Sequence, residues 1–211
     1  MRRWGLLHAG LVLGILSGVV LGADPHGSSA HPATAAPSPP MARAQVATEA
    51  PDFVLIDQDG RRFALRDLRG KAVLVSFIYT SCPDVCPVMF YVVTEVQKRV
   101  QAEGSGDVVS VFVTVDPEID SPEVLKTFAL RRSVDLSATY LLTGKPDELQ
   151  AVWTAFGAKV KRRSRGLVDH SPLTLLIDAR GVMRYRYLSG FPDAEIIAAD
   201  VRNVLKSRAS K

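Results

Sequence analysis

Two cysteines and one histidine carry most of the chemistry that this sequence offers. Cys82 and Cys86 stand four residues apart in Thr80-Ser-Cys-Pro-Asp-Val-Cys-Pro87. On a helix that separation puts both sulfurs on one face, about 5–6 Å apart at Cβ. Converging thiolates can close a disulfide, or they can chelate a soft metal such as copper(I), zinc or iron in a cluster. Two cysteines alone cannot hold a cluster of the usual four-thiolate type. The exposed N–H groups of a first helical turn favour thiolate, so both sulfurs are expected to be more acidic than a free cysteine. Pro83, Asp84 and Pro87 flank the pair and argue against burying it as two small apolar side chains.

Of the four histidines, His8 lies in an apolar N-terminal stretch and His26 and His31 in a Pro/Ala-rich segment. Only His170, in Val168-Asp-His-Ser-Pro172, belongs to the folded part of the chain. It precedes an apolar strand, Leu173–Ile177. If that strand lies beside the one ending near Thr80, the imidazole falls close to the cysteine pair. Two sulfurs and one imidazole make a soft three-donor set that suits copper in either oxidation state. Asp169 or Asp116 could orient the ring from behind. Two cysteines in 211 residues exclude a disulfide-dense scaffold and an all-cysteine zinc site.

The elements that must position these residues follow from patterning. Ala72–Tyr79 and Val108–Val115 are continuous apolar runs, the mark of strands covered on both faces. Val88, Val92, Val96 and Val100 recur every four residues beside Met89 and Val93, which predicts a helix over 85–100. Phe53–Leu65, with Asp59-Gly60 at its turn, predicts an N-terminal β-hairpin. Ser121-Pro122 opens a second helix with a capping serine and a proline in the first turn. A short strand over 140–142, a helix over 146–156, a hairpin over 173–187 and a helix over 192–205 complete the pattern. Strands alternating with helices predict an α/β fold with a mixed central sheet and helices on both faces.

Three regions are expected along the chain. Residues 1–23 carry Arg2-Arg3 and then an uncharged stretch over 4–23, long enough to span a bilayer as a helix. A retained anchor is favoured over a cleaved signal peptide that would leave a soluble periplasmic protein. Gly10, Gly14, Gly18 and Gly22 form one glycine face on such a helix, the form of a homodimer seam. Residues 24–50 read as a flexible tether. Residues 51–211 hold the fold. A net charge of +4 is too small to argue for nucleic acid. Much of the excess sits in Lys159–Arg165, which has five basic residues and no acid. It reads as a solvated basic loop, or else as a docking patch for an acidic partner.

Three separated blocks, Thr80–Pro87, Val115-Asp-Pro-Glu118 with Asp120-Ser-Pro122, and Val168–Ser171, resemble the Sco/SenC copper proteins. The resemblance implies a thioredoxin-like fold over 51–211. It implies one copper ion, Cu+ or Cu2+, bound by Cys82, Cys86 and His170. It further implies a metallochaperone in the bacterial inner membrane, its domain in the periplasm. Its target would be the copper-centre subunit of cytochrome c oxidase, with a second periplasmic copper donor upstream. The alternative within the same resemblance is a thiol–disulfide oxidoreductase that uses Cys82 and Cys86 as a redox pair on the oxidase's copper-site cysteines.

Overall fold

The computed structural model describes residues 41–104, 108–163, 167–189 and 191–209. The expected anchor over 4–23, its glycine face, and His8, His26 and His31 lie outside the described residues. Among the described residues no helix is long and apolar enough to cross a membrane.

Among the described residues ten strands and four α-helices follow one another as β1 (Ala42–Glu49), β2 (Val54–Asp57), β3 (Arg62–Ala64), β4 (Ala72–Ile78), α1 (Cys86–Ala102), β5 (Val108–Thr114), α2 (Pro122–Leu130), β6 (Thr139–Thr143), α3 (Pro146–Phe156), β7 (Val160–Arg162), β8 (Val168–His170), β9 (Leu173–Ile177), β10 (Val182–Leu188) and α4 (Ala194–Ala209). A short 3-10 turn, Leu65–Leu68, follows β3. Eight strands form one sheet in the order β1-β10-β9-β4-β5-β6-β2-β3, and β7 and β8 form a separate two-stranded ribbon. The β4–β5 and β5–β6 pairs are parallel. β9 runs antiparallel beside β4, with Ser76 opposite Thr174. The sheet is therefore mixed, as strands alternating with helices and ending in a hairpin predict.

Every residue of β4 and of β5 is buried. The reason is coverage from both sides. Phe112 of β5 packs against Phe90 of α1, whose ring also meets Phe128 of α2. On the opposite face Phe77 of β4 meets Phe156 of α3. Met89, Phe90, Val93, Val96 and Val100 form the inward stripe of α1, and none is more than 1% exposed. Each such side chain contributes about 1.5–3 kcal/mol by leaving water, so Val93→Asp would detach the helix that begins at Cys86. Gly157, with φ of +72°, ends α3 in the left-handed conformation and turns the chain toward β7.

Two expectations need correction. The tether does not run to residue 50. Ala42–Glu49 is a strand, paired antiparallel with β10 from Ala42 opposite Leu188 to Glu49 opposite Val182. Nearly all its side chains are exposed, so hydrophobic patterning gives no sign of it. Backbone pairing holds it, together with Arg43, which donates two hydrogen bonds of 2.6 and 2.7 Å to the buried carboxylate of Asp200. Tyr187 donates to the same carboxylate at 2.8 Å. The second correction concerns the basic loop, because Val160–Arg162 is strand β7 and pairs with β8, Val160 opposite His170.

Candidate metal centre

The end of β4, the start of α1 and the end of β8 meet at one edge of the sheet. Cys86 is the first residue of α1 and is completely buried. Its position is fixed by the helix that packs against the core. Cys82 lies in the turn between β4 and α1 and is only partly covered; both cysteines are free thiols. The Cys82 amide donates to the Tyr79 carbonyl at 3.4 Å, which starts that turn.

His170 ends β8, three residues before β9 begins at Leu173. Its Nε2 lies 3.2 Å from the Cys86 sulfur, and its Nδ1 lies 3.1 Å from the carbonyl oxygen of Ser171. A carbonyl can only accept, so Nδ1 carries the proton. Nε2 then faces Cys86 with a free lone pair, and the thiol S–H donates to it. The ring of Tyr79 packs edge-on against the imidazole with centroids 5.8 Å apart. The neighbour that orients the ring is thus a backbone carbonyl and neither of the expected aspartates. Asp169 is engaged with Arg163, and Asp116 with Arg162.

The electrostatics differ from the expectation for a helix N-terminus. Burial pushes the Cys86 thiol well above the usual cysteine range, and the adjacent Cys82 sulfur pushes it further. The positive end of α1 does not offset that, because the sulfur is removed from water. Burial likewise holds His170 below the ordinary histidine value, which favours the neutral ring. Tyr79 is raised to about 12, first by burial and then by the Cys82 sulfur beside it.

The turn that carries Cys82 is tied down by a residue to which sequence reasoning gave no role. Asp120 is buried and follows β5. The Thr80 amide donates to its two oxygens at 3.3 and 3.2 Å, and the hydroxyls of Thr80 and Thr114 donate to it as well. Burial raises the Asp120 pKa despite these hydrogen bonds. The clue in the sequence is the spacing of Asp116 and Asp120, which allows the Asp120 amide to close a turn on the Asp116 carbonyl at 2.9 Å.

Among the described residues no group of three His, Cys, Asp or Glu side chains is gathered closely enough to hold a metal ion. Cys86 and His170 are in contact, and Cys82 sits beside them on the turn. The donors are two sulfurs and an imidazole with its lone pair turned inward, and such a set fits a soft ion.

The SCO1/SenC family profile matches residues 41–206. The chain belongs to the SCO1/SenC family. An SCO2-like protein of Rickettsia prowazekii is 33% identical over 162 residues, covering 74% of each chain. A ScoI of Arabidopsis thaliana, solved with copper bound, superposes with a TM-score of 0.67 at 27% identity, covering 76% of this chain and 99% of that one. BsSco, described as a member of the Sco family of cytochrome c oxidase assembly proteins with a disulfide switch, gives 0.66 at 30% identity, covering 76% and 95%. The Sco family profile begins at the residue before β1. The thioredoxin-like architecture is shared with these Sco structures.

Proposed function

We propose that this Sco-family chain carries one copper ion on Cys82, Cys86 and His170 and hands it to a partner protein. The observation that carries the reading is the inward lone pair of His170 Nε2, 3.2 Å from the Cys86 sulfur, with the ring's other nitrogen committed to the Ser171 carbonyl. Copper is the cargo. Cys86 and His170, already in contact, supply two donors, and Cys82 on its turn supplies the third. Binding replaces the Cys86 thiol proton, which the buried site otherwise retains. Cys82 is the donor that a partner reaches first, because it is the less covered sulfur.

The proposed recipient is the copper-centre subunit of cytochrome c oxidase, with a second periplasmic protein as copper source. The oxidase-assembly description of the BsSco relative supports that choice. The same reading places residues 4–23 in the bacterial inner membrane and the domain in the periplasm. The test is anaerobic transfer from the copper-loaded protein to the oxidase subunit, followed by the subunit's own absorption. Transfer with loss of copper from this protein is expected. An inert pairing of the two proteins would refute the reading.

A second reading rests on both cysteines being free and adjacent. The two thiols give two electrons and two protons to a disulfide in the partner and close one of their own. It survives His170→Ala, whereas copper carriage does not. Metal-free reduced protein acting on an oxidised partner separates the two.

A further inference from the structure

The strands that present His170 lie outside the main sheet. Among the described residues β7 and β8 pair only with each other, through three residue pairs. Lys159 and Ser171 close the base of this ribbon: the Ser171 amide donates to the Lys159 carbonyl at 2.9 Å, and the Lys159 amide to the Ser171 hydroxyl at 3.1 Å. An isolated two-stranded ribbon is marginal in water. Val168 is buried in the core and Val160 packs against it, which seats the apolar side of the ribbon; its polar side has to be fixed as well.

Arg162 reaches from β7 to the loop after β5. Its guanidinium hydrogen-bonds the Asp116 carboxylate and lies 3.0 Å from a Glu118 oxygen. Asp116 is fully buried, and its second oxygen finds no hydrogen-bond partner among the described residues. A buried carboxylate without a cation is costly, so the Asp116–Arg162 pair strongly prefers to stay closed. The neighbouring Arg163–Asp169 pair is different. Both members are about half exposed or more, and Asp169 belongs to the ribbon itself, so the pair ties the ribbon only to itself.

We propose that Arg162 is a positioning residue: it latches the β7–β8 ribbon to the end of β5 and so sets the placement of His170 against Cys86. This assigns the basic run a role other than docking, because Arg162 and Arg163 are already paired within the chain. The proposal rests on the reading of His170 as a copper ligand.

Three variants test it: Arg162→Met, Asp116→Asn/Arg162→Met and Arg163→Ala. In metal-free protein, amide hydrogen exchange over 159–171 is expected to quicken in Arg162→Met while β4 and β5 keep their protection. Copper(I) affinity, measured by anaerobic competition with a chromophoric chelator, should fall about tenfold, the usual size of a loss behind a metal ligand. The double variant removes both charges, so it should regain thermal stability, yet the ribbon stays unlatched and the affinity stays low. Arg163→Ala should match the parent in both measurements. Unchanged ribbon exchange in Arg162→Met would overturn the proposal. So would affinity that returns together with stability in the double variant, since that is the behaviour of a merely structural pair. His170→Ala is measured alongside: if it binds copper like the parent, the ligand reading fails, and the exchange data alone judge the latch.

Discussion

The thiol half and the imidazole half of this centre are built by different forces. Cys86 is held by the core: α1 lies on a fully buried sheet, and hydrophobic contact over many side chains fixes its first residue. His170 is held by a three-pair ribbon seated on the core through Val168, by the Ser171 carbonyl and the Tyr79 ring, and by the ion pairs of Arg162. The first arrangement yields only to large perturbations. The second depends on fewer contacts, several of them polar and each open to a single substitution. A metal carrier that must both bind and release its cargo gains from that inequality, because one donor can let go while the other keeps its place.

The sharpest way to break the contrast is at the rigid half. Cys86→Ser should abolish detectable copper binding and disulfide formation together. It also places a hydroxyl at a fully buried site, so denaturant unfolding should show a loss of about 1–3 kcal/mol. His170→Ala should lower copper affinity about 100-fold, or ~2.7 kcal/mol, with global stability within about 1 kcal/mol. If this substitution unfolds the domain, the two halves are not independent.

Asp120→Asn probes the turn between the halves. It weakens the hydrogen bonds to Thr80 and Thr114, so stability should drop by about 1–2 kcal/mol. The Cys82–Cys86 couple should shift in redox titration, while ribbon exchange over 159–171 stays unchanged. The smallest effect is expected from pH. His170 titrates below its ordinary value of 6.5 in the folded protein, because burial disfavours the charged ring. The unfolded chain therefore takes up this proton first as pH falls. Stability from the neutral ring is complete above about 6.5 and declines between that value and the lower folded one. Denaturation curves over this range should show the decline in the parent and not in His170→Ala. Asp120 acts in the opposite direction, since its raised pKa makes protonation favour the fold, which is why the comparison uses the difference between the two proteins.

What could be read beforehand divides along the same line. The apolar runs at 72–79 and 108–115 and the four-residue valine spacing mark β4, β5 and α1, because burial leaves its trace in residue type. The cysteine pair and its place at a strand-to-helix turn follow from those elements. β9 does lie beside β4, the condition on which the approach of His170 to the sulfurs depends. What stays hidden is held by polar contacts between distant residues. β1 has exposed side chains and is fastened by Arg43 to Asp200, 157 positions away. β7 reads as a solvated loop until Arg162 is seen against Asp116, 46 positions back. The acidity expected of Cys86 fails for a related reason: helix termini are visible in the sequence, whereas the depth at which a sulfur sits is not.

β1 starts beside the centre and runs away from it. Ala42 lies opposite Leu188, Leu188 opposite Leu173, and Leu173 begins the strand that follows His170. The chain therefore enters the domain at the edge that bears the sulfurs and the imidazole.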